Sequence, residues 1–157
     1  KMIAKYDDKE FKSILDADLG LESEEEREEI KKQSEDNKEL LDALSKALEG
    51  KVKKVELTGR LKNHPCCLRA EGPVTLEMEK VLQKGPEGAP DGMPKSQRVL
   101  ELNAKHPVFA KLVAAQKAGD ADKIKQYSGL LYDQALLVEG ILPEDPVAFA
   151  AAVCELM

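Results

Sequence analysis

The chain has 157 residues, 34% of them charged and only 4% aromatic, with no Trp and a formal net charge of -6. That length suffices for one domain with its own core, and the shortage of aromatics predicts a helix-rich core of aliphatic side chains. Acid concentrated between Glu22 and Glu29 leaves no basic footprint for nucleic acid or for polybasic attachment to a membrane surface.

Three cysteines, Cys66, Cys67 and Cys154, make an odd count with two adjacent. They do not read as a disulfide framework and suit a reducing compartment. Without a signal peptide or a long apolar run, the expected location is the cytoplasm. The opening Lys1-Met2-Ile3 reads as mid-sequence, so a piece of a larger protein is expected.

Residues 1–22 read as a connector, with Asp7-Asp8 as a hairpin turn. A domain is expected over 23–157. Ser23 and Glu26 form a capping-box pattern, and the acid around them suits the positive end of a helix. Between Glu24 and Lys38 only Ile30 is strongly apolar, so this part is expected to be solvated. From Leu40 the character changes: Leu40, Leu41, Leu44, Ala47 and Leu48 form a stripe that Gly50 can end.

Val55 and Leu57 alternate with Lys54 and Glu56, the period of a strand. Asn63-His64-Pro65 is a turn, Cys66 to Ala70 a second strand and Arg98 to Leu102 a third. The expected fold is α+β, a small, mostly antiparallel three-stranded sheet covered by helices. Between the second and third strands, Val74, Met78, Val81 and Leu82 share one helix face, with Glu77, Glu79 and Lys80 largely on the other. That face either packs on the sheet or is offered to partners, a use to which the adaptable Met side chain is suited. Gly and Pro over 85–95 predict an exposed, mobile loop. Asn103 is the candidate cap of the next helix, in which Val108, Leu112 and Ala115 form an apolar side.

The last stretch reads as two helices around a tight corner. On the first, Ile124, Tyr127, Leu130, Leu131, Ala135, Leu137 and Val138 fall in one arc interrupted by Gln134, and Tyr132 and Leu136 form a second patch. The second is capped by Asp145, starts with Pro146 and has only Glu155 charged beyond it. A helix apolar on nearly all sides must be buried on nearly all sides. Either these helices belong to an ordinary core, or they associate with a second copy as a four-helix bundle across a two-fold axis. A monomeric adaptor whose terminal helices bind another protein is the alternative.

His64-Pro65-Cys66-Cys67 invites a thiol-nucleophile reading. Adjacent strand residues point to opposite faces, so at most one cysteine approaches His64, and no recognisable carboxylate orients the imidazole. Turn or core packing is expected instead. Neither zinc spacing nor a Gly-rich phosphate loop is present, so no catalytic, cofactor or metal site is expected.

The segments LTGRLKNHPCCLRAEG, EMEKVLQ, LELNAKHPVF and LLYDQALLVEGILPEDPVAF, in that order, resemble the C-terminal domain of the HtpG chaperones, the bacterial branch of the ninety-kilodalton heat-shock family. The resemblance covers about Lys51 to Met157. It implies an α+β domain that makes a constitutive homodimer through the last two helices of each subunit, here about Asp122–Glu139 and Asp145–Met157. The interface then falls on Ile124, Tyr127, Leu130, Leu131, Gln134, Leu137 and Val138 of the first helix. Val147, Ala150, Val153 and Cys154 supply it from the second. By position, contact with unfolded or partly folded client proteins falls on Val74, Met78, Val81 and Leu82. The family's ATP and Mg site lies in an N-terminal domain outside this chain. The fragment is therefore expected to be neither an enzyme nor a cofactor binder, while its full-length parent hydrolyses ATP.

Overall fold

A computed structural model describes residues 5–6, 9–10, 23–72, 74–83 and 96–156, with the backbone alone at 5–6, 9–10, 82 and 83. In chain order the elements are β1 (Lys5–Tyr6), β2 (Lys9–Glu10), α1 (Glu24–Asp36), α2 (Lys38–Ala47), β3 (Lys54–Thr58), β4 (Cys66–Glu71), α3 (Leu76–Gln83), β5 (Gln97–Asn103), α4 (Pro107–Lys117), α5 (Ala121–Val138) and α6 (Pro146–Glu155). β1 and β2 pair antiparallel, Tyr6 opposite Lys9. The Asp7-Asp8 turn and the 85–95 loop lie outside the described residues.

The capping box forms at α1. The Ser23 hydroxyl accepts from the Glu26 N–H at 3.2 Å, and the Glu26 carboxylate accepts from the Ser23 N–H at 3.3 Å. No residue of α1 is buried, as its polar sequence requires. The run from Ser23 to Gly50 is two helices: it breaks at Asn37, whose Nδ2 donates to the Gln33 carbonyl at 2.8 Å. A short amide that bonds nearby backbone competes with helical continuation. Beyond the break, α2 buries Leu40, Leu41 and Leu44.

The three expected strands form, but the sheet is mixed rather than mostly antiparallel. Its order is β3-β5-β4, with β3 parallel and β4 antiparallel to β5. The physical reason lies in β5, where Val99 to Asn103 are all buried. The most buried strand takes the centre, where both edges are paired, and the chain reaches it from β4 through α3. Leu100 then sits opposite Val55 on one side and Leu68 on the other.

One sheet face carries Val55, Leu57, Cys66, Leu68, Leu100 and Leu102 into the core. α5 lies against β4, while α2 touches both β3 and α5. α4 adds Phe109, Leu112 and Ala115. The cap of α4 is His106, whose Nδ1 accepts from the Val108 N–H at 3.2 Å. Asn103, the expected cap, ends β5 three residues too early for that role. Its Oδ1 accepts from the Lys105 N–H at 3.0 Å and its Nδ2 donates to the His64 carbonyl at 3.1 Å.

The opposite sheet face is ionic. Glu101, 5% exposed, accepts from Arg69 Nε at 2.8 Å and pairs with Arg60. Arg69 Nη2 also donates to Glu56 at 3.0 Å. A carboxylate taken out of water costs several kcal/mol unless it is paired, and here two guanidinium groups face it.

Candidate interaction surface

Local sequence builds the terminal hairpin. The Asp120 carboxylate caps α5, accepting from the Lys123 N–H at 3.1 Å. That backbone hydrogen bond, helped by the Lys123 side chain, holds its pKa below the ordinary aspartate value. At the other end, the Gly140 N–H donates to Leu137 and the Ile141 N–H to Leu136, each at 2.9 Å. This paired closure needs a left-handed residue, and Gly140 has φ 72°. Ile141 is buried beneath it, so the chain leaves α5 at a fixed angle. Asp145 then caps α6, accepting from the Ala148 N–H at 2.9 Å. Gln126 donates to Glu155 at 2.9 Å, which brings the end of α6 back along the first half of α5.

α5 buries Ile124, Ser128, Leu131, Tyr132, Ala135 and Leu136. α6 buries nothing, although PVAFAAAVCE has one charge. Leu142 is 76% and Val147 79% exposed, and Leu137, Val138, Val153 and Leu156 also stand in solvent. Tyr127, Leu130, Leu131 and Gln134 line a cleft of about 230 Å³ with Val108, Lys111 and Leu156.

The residues expected at the interface therefore divide. Tyr127 and Leu130 are half-buried at the cleft, and Gln134, Leu137, Val138, Val147, Ala150, Val153 and Cys154 are exposed. Ile124 and Leu131, each 5% exposed, belong to the chain's own core. The sequence arc merged two adjoining faces, because both are apolar.

α3 divides similarly. Met78 is 54% and Val81 71% exposed. Val74 is half-buried and precedes the helix, while Leu82 is helical with its side chain outside the described residues. Among the described side chains of α3, Leu76 and Glu79 are the buried ones. The expected placing of Glu79 on the solvent side is corrected by its contacts: it accepts from Arg98 Nη2 at 2.7 Å and from the Ser96 hydroxyl. Arg98 Nη1 in turn donates to the Tyr132 hydroxyl at 2.5 Å. The signal was present in Arg98-x-Leu100-x-Leu102, whose alternation puts a guanidinium on the core face and so demands a polar partner.

The thiols do not make a nucleophile pair. Cys66 is buried and donates to the Leu131 carbonyl at 3.2 Å; Cys67 faces Glu101 at 3.4 Å. Burial pushes each thiol up to about 12, with the Glu101 charge adding to the effect at Cys67. A thiol so raised is protonated and inert near neutral pH. Among the described residues no three His, Cys, Asp or Glu side chains are grouped to hold a metal, and Arg60 and Arg69 are already engaged by carboxylates, a poor fit to a nucleotide and its Mg. No helix among the described residues is long and apolar enough to cross a membrane.

The whole chain, residues 1–157, matches the family model described as Hsp90 protein. It is 47% identical over all 157 residues to the chaperone protein HtpG of Clostridium acetobutylicum. To the chaperone proteins HtpG of Shouchella clausii and Clostridium perfringens it is 48% identical, again over its full length. In each case it spans 24% of the relative, about a quarter.

Proposed function

The chain belongs to the Hsp90 protein family, and on that premise we propose that it is the C-terminal homodimerisation domain of an HtpG-like, ATP-dependent chaperone. Residues 23–157 form the domain and 1–22 the connector to the preceding one. The observation that carries the reading is α6: a capped helix, apolar but for Glu155, with no residue buried by its own chain. Each large aliphatic side chain withdrawn from water contributes about 1.5–3 kcal/mol, and a second copy offers the matching face by symmetry. Exposure of Leu137 and Val138 on α5, the helix that α6 touches, supports a bundle of four helices.

The domain's work is mechanical. ATP and Mg are bound and hydrolysed in the parent's N-terminal domain, and the dimer keeps two such arms at high effective concentration, so that their closure is intramolecular. Unfolded or partly folded polypeptides engage the Met78 and Val81 face of α3 in the cytoplasm. The test is Val153→Glu. Burying an unpaired charge costs about 3–5 kcal/mol, so the dimer dissociation constant should rise by about a hundredfold or more with the helical spectrum unchanged. Equal dimer affinity in the two proteins would contradict the reading.

A further inference from the structure

We propose that Glu79, Lys80, Arg98 and Tyr132 position the client-contact helix α3 on the dimer helix α5, so that assembly at one face alters the stability of the other. The inference rests on the dimer and client reading above and adds the residues that join its two surfaces.

Among the described side chains of α3, Leu76 is buried, while Met78 and Val81 point to solvent. The ties that join the helix to its neighbours there are polar. Glu79, 8% exposed, receives Arg98 at 2.7 Å and the Ser96 hydroxyl. Arg98 spans from that carboxylate to the Tyr132 hydroxyl at 2.5 Å. Tyr132 is 4% exposed on the inner face of α5, and Lys51 covers its ring at 5.4 Å. A second tie runs outside the first: Lys80 meets Glu139 at 3.4 Å. Glu139 caps the end of α5, next to Val138 and two residues from Leu137.

Two consecutive residues of α3 are thus bound to α5, one through a relay at its middle and one at its terminus. Side chains in a shared hydrogen-bonded network respond together rather than singly. Clamping the outer face of α5 against a second copy restrains its fluctuations, and the two ties pass that restraint to α3. A helix with side chains such as Met78 and Val81 in solvent opens locally at lower cost than the core, so α3 is where the restraint is visible. Linkage requires the converse: a polypeptide that binds α3 differently in monomer and dimer shifts the dimer equilibrium by the same factor.

The test follows amide hydrogen exchange of α3 in the full chain, at concentrations far above and far below the dimer dissociation constant, with molar mass measured in parallel. The expected result is severalfold slower exchange of α3 in the dimer, and loss of that difference in the double variant Tyr132→Phe with Lys80→Ala, which still dimerises. Exchanging the outer charges, Lys80→Glu with Glu139→Lys, on the Tyr132→Phe background should restore part of the difference. Because one partly exposed ion pair at the surface is worth about fivefold at most in an equilibrium, the restored part is small but measurable. A dimer in which α3 exchanges as in the monomer, or in which the double variant keeps the full difference, overturns this inference alone. A chain that is monomeric throughout overturns the dimer reading and this inference with it.

Discussion

At Glu101 a single carboxylate decides whether the ionic face of the sheet holds. It is 5% exposed and depends on Arg69 at 2.8 Å and on Arg60. Arg69→Met strips away one partner and leaves the carboxylate undercompensated. The expected loss of stability in urea unfolding is about 3 kcal/mol, and a loss below about 1 kcal/mol would show that solvent or Arg60 suffices. Cys66 gives a pH prediction with a defined sign. Its thiol is raised from 9.0 to about 12 by burial, so the folded state keeps a proton that the unfolded state releases. Stability from this group is therefore intact below pH 9 and falls as pH rises toward 12. Cys66→Ala should flatten that alkaline decline, and an unchanged slope would contradict the assignment. Iodoacetamide at neutral pH should label Cys154 first in the separated subunit, where it is exposed, with Cys66 and Cys67 resistant; rapid labelling of Cys67 would revive it as a nucleophile.

At the scale of elements, the sequence reveals periods better than partners. Lys54-Val55-Glu56-Leu57 and the Cys66 run announce strands by alternation, and Ser23, Asp145 and Pro146 mark helix starts by local chemistry, so these features were legible. Strand order was not, because placing β5 between β3 and β4 depends on which strand is buried on both faces, a property of the assembled core. α5 shows the same limit. Leu131 and Leu130 adjoin in one apolar arc, yet Leu131 is 5% exposed and Leu130 only half-buried. Leu131→Glu should therefore unfold the chain, whereas Val153→Glu should separate subunits and leave them folded. Circular dichroism distinguishes the two; a folded Leu131→Glu monomer would mean that α5 is seated differently. On α3, Met78→Ser with Val81→Ser should reduce suppression of client aggregation by the full-length parent without altering its mass in solution, and full protection by that variant would remove α3 from the client surface.

For the whole molecule, one core holds α2, the sheet, α4 and the inner face of α5 together, and it leaves the outer face of α5 and most of α6 exposed. The proposed dimer would give that remainder a purpose, by covering apolar side chains that the chain's own core leaves exposed. Gly140 and the caps Asp120 and Asp145 set the hairpin's shape in the monomer, so α6 is already in place when a second copy arrives. The ionic face of the sheet lies away from this contact and should persist in a separated subunit.

The most direct measurement is the molar mass of the unaltered chain by sedimentation equilibrium across a wide range of concentrations. The expected result is twice the chain mass at tens of micromolar, falling toward a single chain on dilution. A single chain at every concentration, with α6 still helical, would contradict the account.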